Sequence, residues 1–219
     1  MVIRQKKQKK VDPGDAGADR HGDCWIYIAT KTDTKLHLAH STGKRIQDTA
    51  DRLTTTVKKC GKGKAPAKDD KATFISDGND QYTTTLLENF DADTINYVQL
   101  VKERENGRVM GKTMTIIFGS MENEDIDTVY VERYNLTLRH GISRLVRKSL
   151  CFSKCREMLD NHLDVYQCYN NLIKTNSALS IETHKGIKNL TRTPCMVEEI
   201  TEHPWTWKEF LMSKVSHEN

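Results

Sequence analysis

The chain has 219 residues, 37% hydrophobic and 29% charged, with a formal net charge of +4. That length supports one sizeable core and a small appendage. No stretch approaches the roughly 18 consecutive apolar residues of a membrane span, and Met1 to Lys10 lack the apolar run of a secretory signal, so the composition predicts a cytoplasmic protein with no membrane partner.

From the N-terminus, a basic stub leads into the turn-rich stretch Asp12-Pro13-Gly14-Asp15-Ala16-Gly17-Ala18-Asp19, which reads as a loop. Cys24 to Ala29 is a β-run that turns through Thr32-Asp33-Thr34-Lys35 into Leu36 to His40, giving a hairpin. His37 and His40 fall on opposite faces of such a strand, which argues against a shared metal and predicts ordinary surface or edge positions. After Ser41-Thr42-Gly43, the spacing of Ile46, Ala50, Leu53 and Val57 predicts a helix, ended by Gly61-Lys62-Gly63-Lys64-Ala65-Pro66. That basic stretch lacks the spacing of a phosphate-binding loop and reads as a solvated linker.

A short strand, Ala72 to Ile75, runs into Ser76-Asp77-Gly78-Asn79-Asp80 and then a helix from Gln81 to Leu87. An acid at the C-terminal end of a core strand is a common way to present a carboxylate in an α/β site; the plainer alternative for Asp77 is a cap or turn residue. Residues 95–101 and 113–118 follow as strands separated by the turn Glu105-Asn106-Gly107-Arg108. An acidic loop, Glu122 to Asp127, precedes a helix that carries Glu132. Ser153 is placed to cap a long helix through Leu159, Leu163, Tyr166, Tyr169 and Ile173, and Thr193 and Thr206 each open a short helix in the tail, where Trp205, Trp207, Phe210 and Leu211 dock apolar surface.

Positive charge gathers at residues 4–10, 58–64 and 133–156, and between Arg133 and Arg156 there is no Asp or Glu. Such a segment is suited to a polyanion. At helical spacing Glu132, Asn135 and Arg139 share one face, so a carboxylate, an amide and a guanidinium can address one phosphate or metal. A solvated surface would carry both signs of charge, and this run does not. Six cysteines contain no C-x-x-C pair, which argues against structural zinc, and Cys151 and Cys155 read as small buried hydrophobes.

Three motifs make the chain resemble the transposases of the insertion-sequence-one family, with a C-terminal extension, Arg192 to Met196 through Trp207, like that of archaeal members. They are Ser76-Asp77-Gly78 with Tyr82, the signature-like Glu132-Arg133-Tyr134-Asn135 with Arg139 continued by Arg144 to Ser149, and Gly22-Asp23-Cys24-Trp25-Ile26. The resemblance covers most of the chain. It implies an α/β, ribonuclease H-like mixed sheet flanked by helices, lacking part or all of its first strand, within residues 23–176. Residues 1–22 form a basic stub and loop, and 177–219 a C-terminal extension.

The resemblance further implies an Asp-Asp-Glu polynucleotidyl transferase that cleaves and joins DNA at insertion-sequence ends. Asp77 and Glu132 would bind Mg²⁺ (or Mn²⁺), in the two-ion arrangement with metals about 3.5–4 Å apart, and Asn135 would orient a ligand or the phosphate. Arg133, Arg139, Arg144, Arg147 and Lys148 would contact the DNA backbone. The partners implied are transposon ends, target DNA and further copies of the chain in a synaptic complex, at the nucleoid. The family's first catalytic aspartate is expected upstream of Met1, with Asp19 and Asp23 as substitutes, so the chain reads as a truncated and catalytically impaired form. The alternatives are a non-catalytic DNA-binding remnant that inhibits full-length transposase, or an unrelated nuclease of the same fold class.

Overall fold

The computed structural model describes residues 12, 14, 22–61, 66–106, 108–120, 129–146, 150–151, 153, 155–182 and 190–214. It is a mixed α/β structure with small sheets flanked by helices, consistent with the ribonuclease H-like expectation, and it divides into two compact units.

The first unit, Met1–Ala29 with Leu38–Arg156, holds most of the secondary structure. Strands β1 (Trp25–Thr30) and β2 (His37–Gly43) form a two-stranded sheet. The second strand, expected to end at His40, runs on through Ser41, Thr42 and Gly43 because the elements around them take up their polar groups. Ser41 Oγ donates to the Thr49 carbonyl at 2.6 Å, and the Thr42 carbonyl accepts from Arg52 at 2.9 Å and from Arg156.

Helix α1 (Gln47–Cys60) buries Ala50 and Leu53 against Tyr27 and Ala39, as the one-face spacing predicts, with Val57 packed at the margin, whereas Ile46, expected on the same face, is the extended N-cap residue and is exposed. Helix α2 (Gln81–Asn89) meets α1 through threonines: Thr54 and Thr85 are buried with their hydroxyls in contact, and Asn89 Nδ2 donates to the Thr85 carbonyl at 2.9 Å and to Thr54 Oγ1 at 3.1 Å. Polar groups so deeply buried are tolerated because they bond to one another.

The second sheet has the order β3-β4-β5, from β3 (Ala72–Ser76), β4 (Ile95–Glu105) and β5 (Arg108–Phe118). β3 and β4 run parallel, and β4 and β5 form a long antiparallel hairpin. Among the described residues β4 is the middle strand. Its residues Tyr97, Val98, Gln99 and Leu100 are buried, whereas β3 retains only half-buried and exposed positions. Leu86, Ile95 and Tyr97 form the core beneath this sheet, and Tyr82 joins it to the Tyr27 cluster through an edge-on ring contact at 5.9 Å. Gly119 ends β5 at φ +79, and a Cβ there would fall 2.1 Å from Asn96 Oδ1, so both the turn and the close approach require glycine. Helix α3 (Val129–Gly141) follows, then a 3-10 turn at Ser143–Leu145, with Leu138, Ile142 and Leu145 buried.

The second unit comprises Thr30–His37 with Glu157–Asn219. Helix α4 (Arg156–Cys168) buries Leu159, Leu163 and Tyr166 and passes into a π-helical turn, Tyr169–Ile173. Ser153 does not cap it: its hydroxyl donates to the Cys155 carbonyl at 2.7 Å. Cys151 and Cys155 are exposed in the approach to α4, and the buried cysteines are Cys24 and Cys195.

His37 is buried rather than at the surface. Its N–H donates to Asn171 Oδ1 at 3.0 Å, and its carbonyl accepts from Asn171 Nδ2 at 2.9 Å and Gln167 Nε2 at 3.0 Å, so side chains satisfy the backbone that a neighbouring strand otherwise would. The tail adds two strands that hydrophobic periodicity does not announce, β6 (Asn176–Ile181) and β7 (Leu190–Arg192), paired antiparallel. Thr193 caps α5 (Pro194–Val197), and Thr206 with Glu209 forms a capping box on α6 (Trp207–Met212). Trp207 stacks on Tyr169 with ring centroids 5.5 Å apart, and Phe210 packs edge-on to it, which is the expected docking of the aromatic tail.

Candidate functional site

Asp77 follows the last residue of β3, and its backbone is fixed by a chain of hydroxyls. Gln99 Nε2 donates to Tyr97 Oη at 2.9 Å, Tyr97 Oη lies 2.8 Å from Ser76 Oγ, and Ser76 Oγ donates to the Asp77 carbonyl at 2.7 Å. With Ser76 donating forward, Tyr97 must donate to Ser76 while accepting from Gln99, so every proton in the chain is assigned. The Asn79 N–H returns to the same carbonyl at 2.7 Å, closing the turn before α2. The carboxylate itself is exposed and, among the described residues, has no hydrogen-bonding or ionic partner.

Behind Asp77 lies a polar cluster. Tyr27 Oη donates to Gln81 Oε1 at 2.7 Å, and Gln47 Nε2 donates to the Gln81 carbonyl at 3.1 Å. Burial pushes the Tyr82 hydroxyl upward, with the negative charge of Asp77 as the next cause. Tyr27 is raised mainly by burial, against a bond from Asn79 and the positive charge of Arg45. Both phenols therefore stay protonated beside the acid, and Tyr27 acts as a donor. Arg45 sits over the Trp25 ring, its guanidinium carbon 5.2 Å from the centroid.

Glu132 stands in the first turn of α3, exposed, and its Oε1 takes a direct bond from Lys102 Nζ. The register relates the two acids. Ser76 pairs with Gln99 in parallel, so the chain beyond it runs along Leu100 and Val101, and a Cβ on Gly78 would come within 2.9 Å of Val101 Cγ2. Lys102 is the next residue of β4. Asp77 and Glu132, 55 residues apart, thus both border the same end of β4.

Asn135 and Arg139 are half-buried on α3, while Arg133 is exposed, and Arg139 is held by neighbours with its Nε covered. Arg144 Nη1 donates to the buried Ser153 Oγ at 3.0 Å, so this arginine also supports the fold. Asp23 is half-buried just before β1, with its Oδ1 covered. Asp19, Arg147 and Lys148 lie outside the described residues.

Among the described residues no three of His, Cys, Asp and Glu gather in a set that could hold a metal ion, so the divalent-ion expectation rests on Asp77 and Glu132. Their chemistry fits such an ion: both offer hard, accessible carboxylate oxygens, and Glu132 already attracts a cation in the form of the Lys102 ammonium. Sequence reasoning passes over Lys102. Its only signal is a lysine at alternating spacing after the buried Val98 and Leu100.

Comparison with known proteins adds one match. The family model described as IS1 transposase matches residues 121–172, which contain Glu132, Asn135, Arg139 and the whole basic run, but not Asp77. No curated protein and no solved structure matches the chain. The match supports a role in transposition. Among the described residues no helix is long and apolar enough to cross a membrane.

Proposed function

We propose that the chain acts on DNA as an Asp-Asp-Glu-type transposase domain, with Asp77 and Glu132 as the metal-binding carboxylates. The observation that carries this reading is the IS1 transposase match over the helix bearing Glu132, Asn135 and Arg139, together with the placement of Asp77 at the same end of β4. A divalent cation held by these carboxylates would supply charge to a non-bridging phosphate oxygen and acidify the attacking hydroxyl.

The chain's own residues do the rest. Asn135 and Arg139, set on α3 within two turns of Glu132, orient the phosphodiester, and Arg133 offers an exposed cation to the neighbouring backbone. Water oxygen bonds to phosphorus in line as the P–O3′ bond breaks, and the leaving 3′ oxygen takes up a proton. That freed 3′-hydroxyl then attacks a target phosphodiester, forming a new P–O bond and releasing the target's own 3′ oxygen. The number of phosphodiester bonds is conserved in the second step, so it needs no external energy source.

A second reading, a DNA-binding role without catalysis, is favoured by the small number of carboxylates at the site: among the described residues Asp77 and Glu132 have no third acid grouped with them. The experiment is nicking of supercoiled plasmid by the purified chain in Mg²⁺ or Mn²⁺, run beside Asp77→Asn and Glu132→Gln, with DNA binding measured on the same samples. Metal-dependent nicking lost in both variants supports the first reading. Binding without nicking supports the second, and neither binding nor nicking overturns both.

A further inference from the structure

The cation already bonded to Glu132 bears on its affinity for a metal, on the reading of Glu132 as a metal-binding carboxylate. Lys102 is largely covered, its side chain only 19% exposed, whereas the Glu132 side chain is 53% exposed. The ammonium is therefore set into the surface of the sheet and reaches up to a carboxylate that remains open to solvent on its other side. An ordinary surface pair would have both partners in water and would contribute little.

Directly across the ladder from Lys102 is Lys112, on the same face of the hairpin. Like charges facing each other across an antiparallel pair repel, and the Glu132 carboxylate offsets that repulsion at Lys102. Lys102 and Lys112 thus both lie at the end of β4 where Asp77 also emerges.

We propose that Lys102 is a positioning residue that holds Glu132 as an ion pair until a divalent cation arrives, and that Glu132 exchanges the ammonium for that cation. The ammonium occupies Oε1 and sets a positive charge against any second cation at this carboxylate, so metal binding is favoured when Lys102 moves away. The population with Lys102 displaced therefore contributes to the apparent metal affinity.

The test is titration of the full chain with Mn²⁺, read by the loss of the free-ion electron paramagnetic resonance signal, which does not depend on activity. Lys102→Met should tighten Mn²⁺ binding roughly threefold to tenfold by removing the competing ammonium. Lys102→Arg should keep it at or below the wild-type affinity, and Lys112→Met, which removes a nearby charge but no bond to Glu132, should have a clearly smaller effect. A purely structural lysine would weaken binding when removed, so tightening is the diagnostic sign. Equal affinity in the wild type and Lys102→Met, or an equal gain in Lys112→Met, overturns the exchange while leaving the metal reading intact. Mn²⁺ binding undiminished in Glu132→Gln overturns the metal reading of Glu132, and the exchange with it.

Discussion

The hydroxyls of Tyr97 and Ser76 lie 2.8 Å apart across the parallel β3–β4 pair, and this contact joins the sheet interior to the backbone of Asp77. Tyr97 is fully buried, so its hydroxyl can be satisfied only by the protein. Tyr97→Phe should leave Gln99 Nε2 without its acceptor and Ser76 without its donor. Unfolding by urea should show a loss of about 1–3 kcal/mol, the range for orphaned buried polar groups. An unchanged midpoint would mean that the chain of hydroxyls is incidental to the position of Asp77.

Arg133 and Arg144 should separate binding from stability. Arg133 is exposed on α3, so Arg133→Ala should lower the log–log salt slope of DNA binding by about one unit and leave the melting temperature in place. Arg144 bonds to a buried serine, and Arg144→Ala should cost about 1–2 kcal/mol of stability. The check is fluorescence anisotropy at several salt concentrations beside thermal melts of both variants.

In the second unit Asn171 closes both backbone groups of His37. Asn171→Ala leaves the carbonyl its bond from Gln167 but orphans the N–H, which predicts a loss of about 1–3 kcal/mol. Amide exchange is the sharper measurement, because the His37 N–H should become the fastest-exchanging amide of β2.

Glu209 gives a pH prediction. Its carboxyl is held at about 2, well below its ordinary 4.5, first by the Thr206 N–H at 2.7 Å and then by His203 and the Thr206 hydroxyl. A depressed carboxyl contributes stability that is fully present above 4.5 and is lost as the pH falls through 2. The Thr206 amide resonance should therefore shift between those limits in the wild type and stay flat in Glu209→Gln.

Much of this was legible because it is local. Ala50, Leu53 and Val57 repeat on one face, an acid followed by glycine ends a strand, and Thr206 announces α6. What was hidden depends on partners remote in sequence. The burial of His37 is set by Asn171 and Gln167, and the role of Lys102 by a helix thirty residues on. Strands β6 and β7 were missed because each is short and is specified by the other rather than by its own alternation. At the site, the identities of Asp77 and Glu132 could be read from motifs, but their common approach to one end of β4 required the strand register.

The bond between His37 and Asn171 spans 134 residues. During synthesis at about 5–20 residues per second, the N–H and carbonyl of His37 wait roughly 7–27 s for the side chain that will receive them. Water must hold those groups meanwhile, and the hairpin tip cannot take its final packing until the π-helical turn has left the ribosome. Stalling translation between His37 and Asn171 would leave nascent chains cut readily at Thr30–His37, and release of the stall would make that tip resistant.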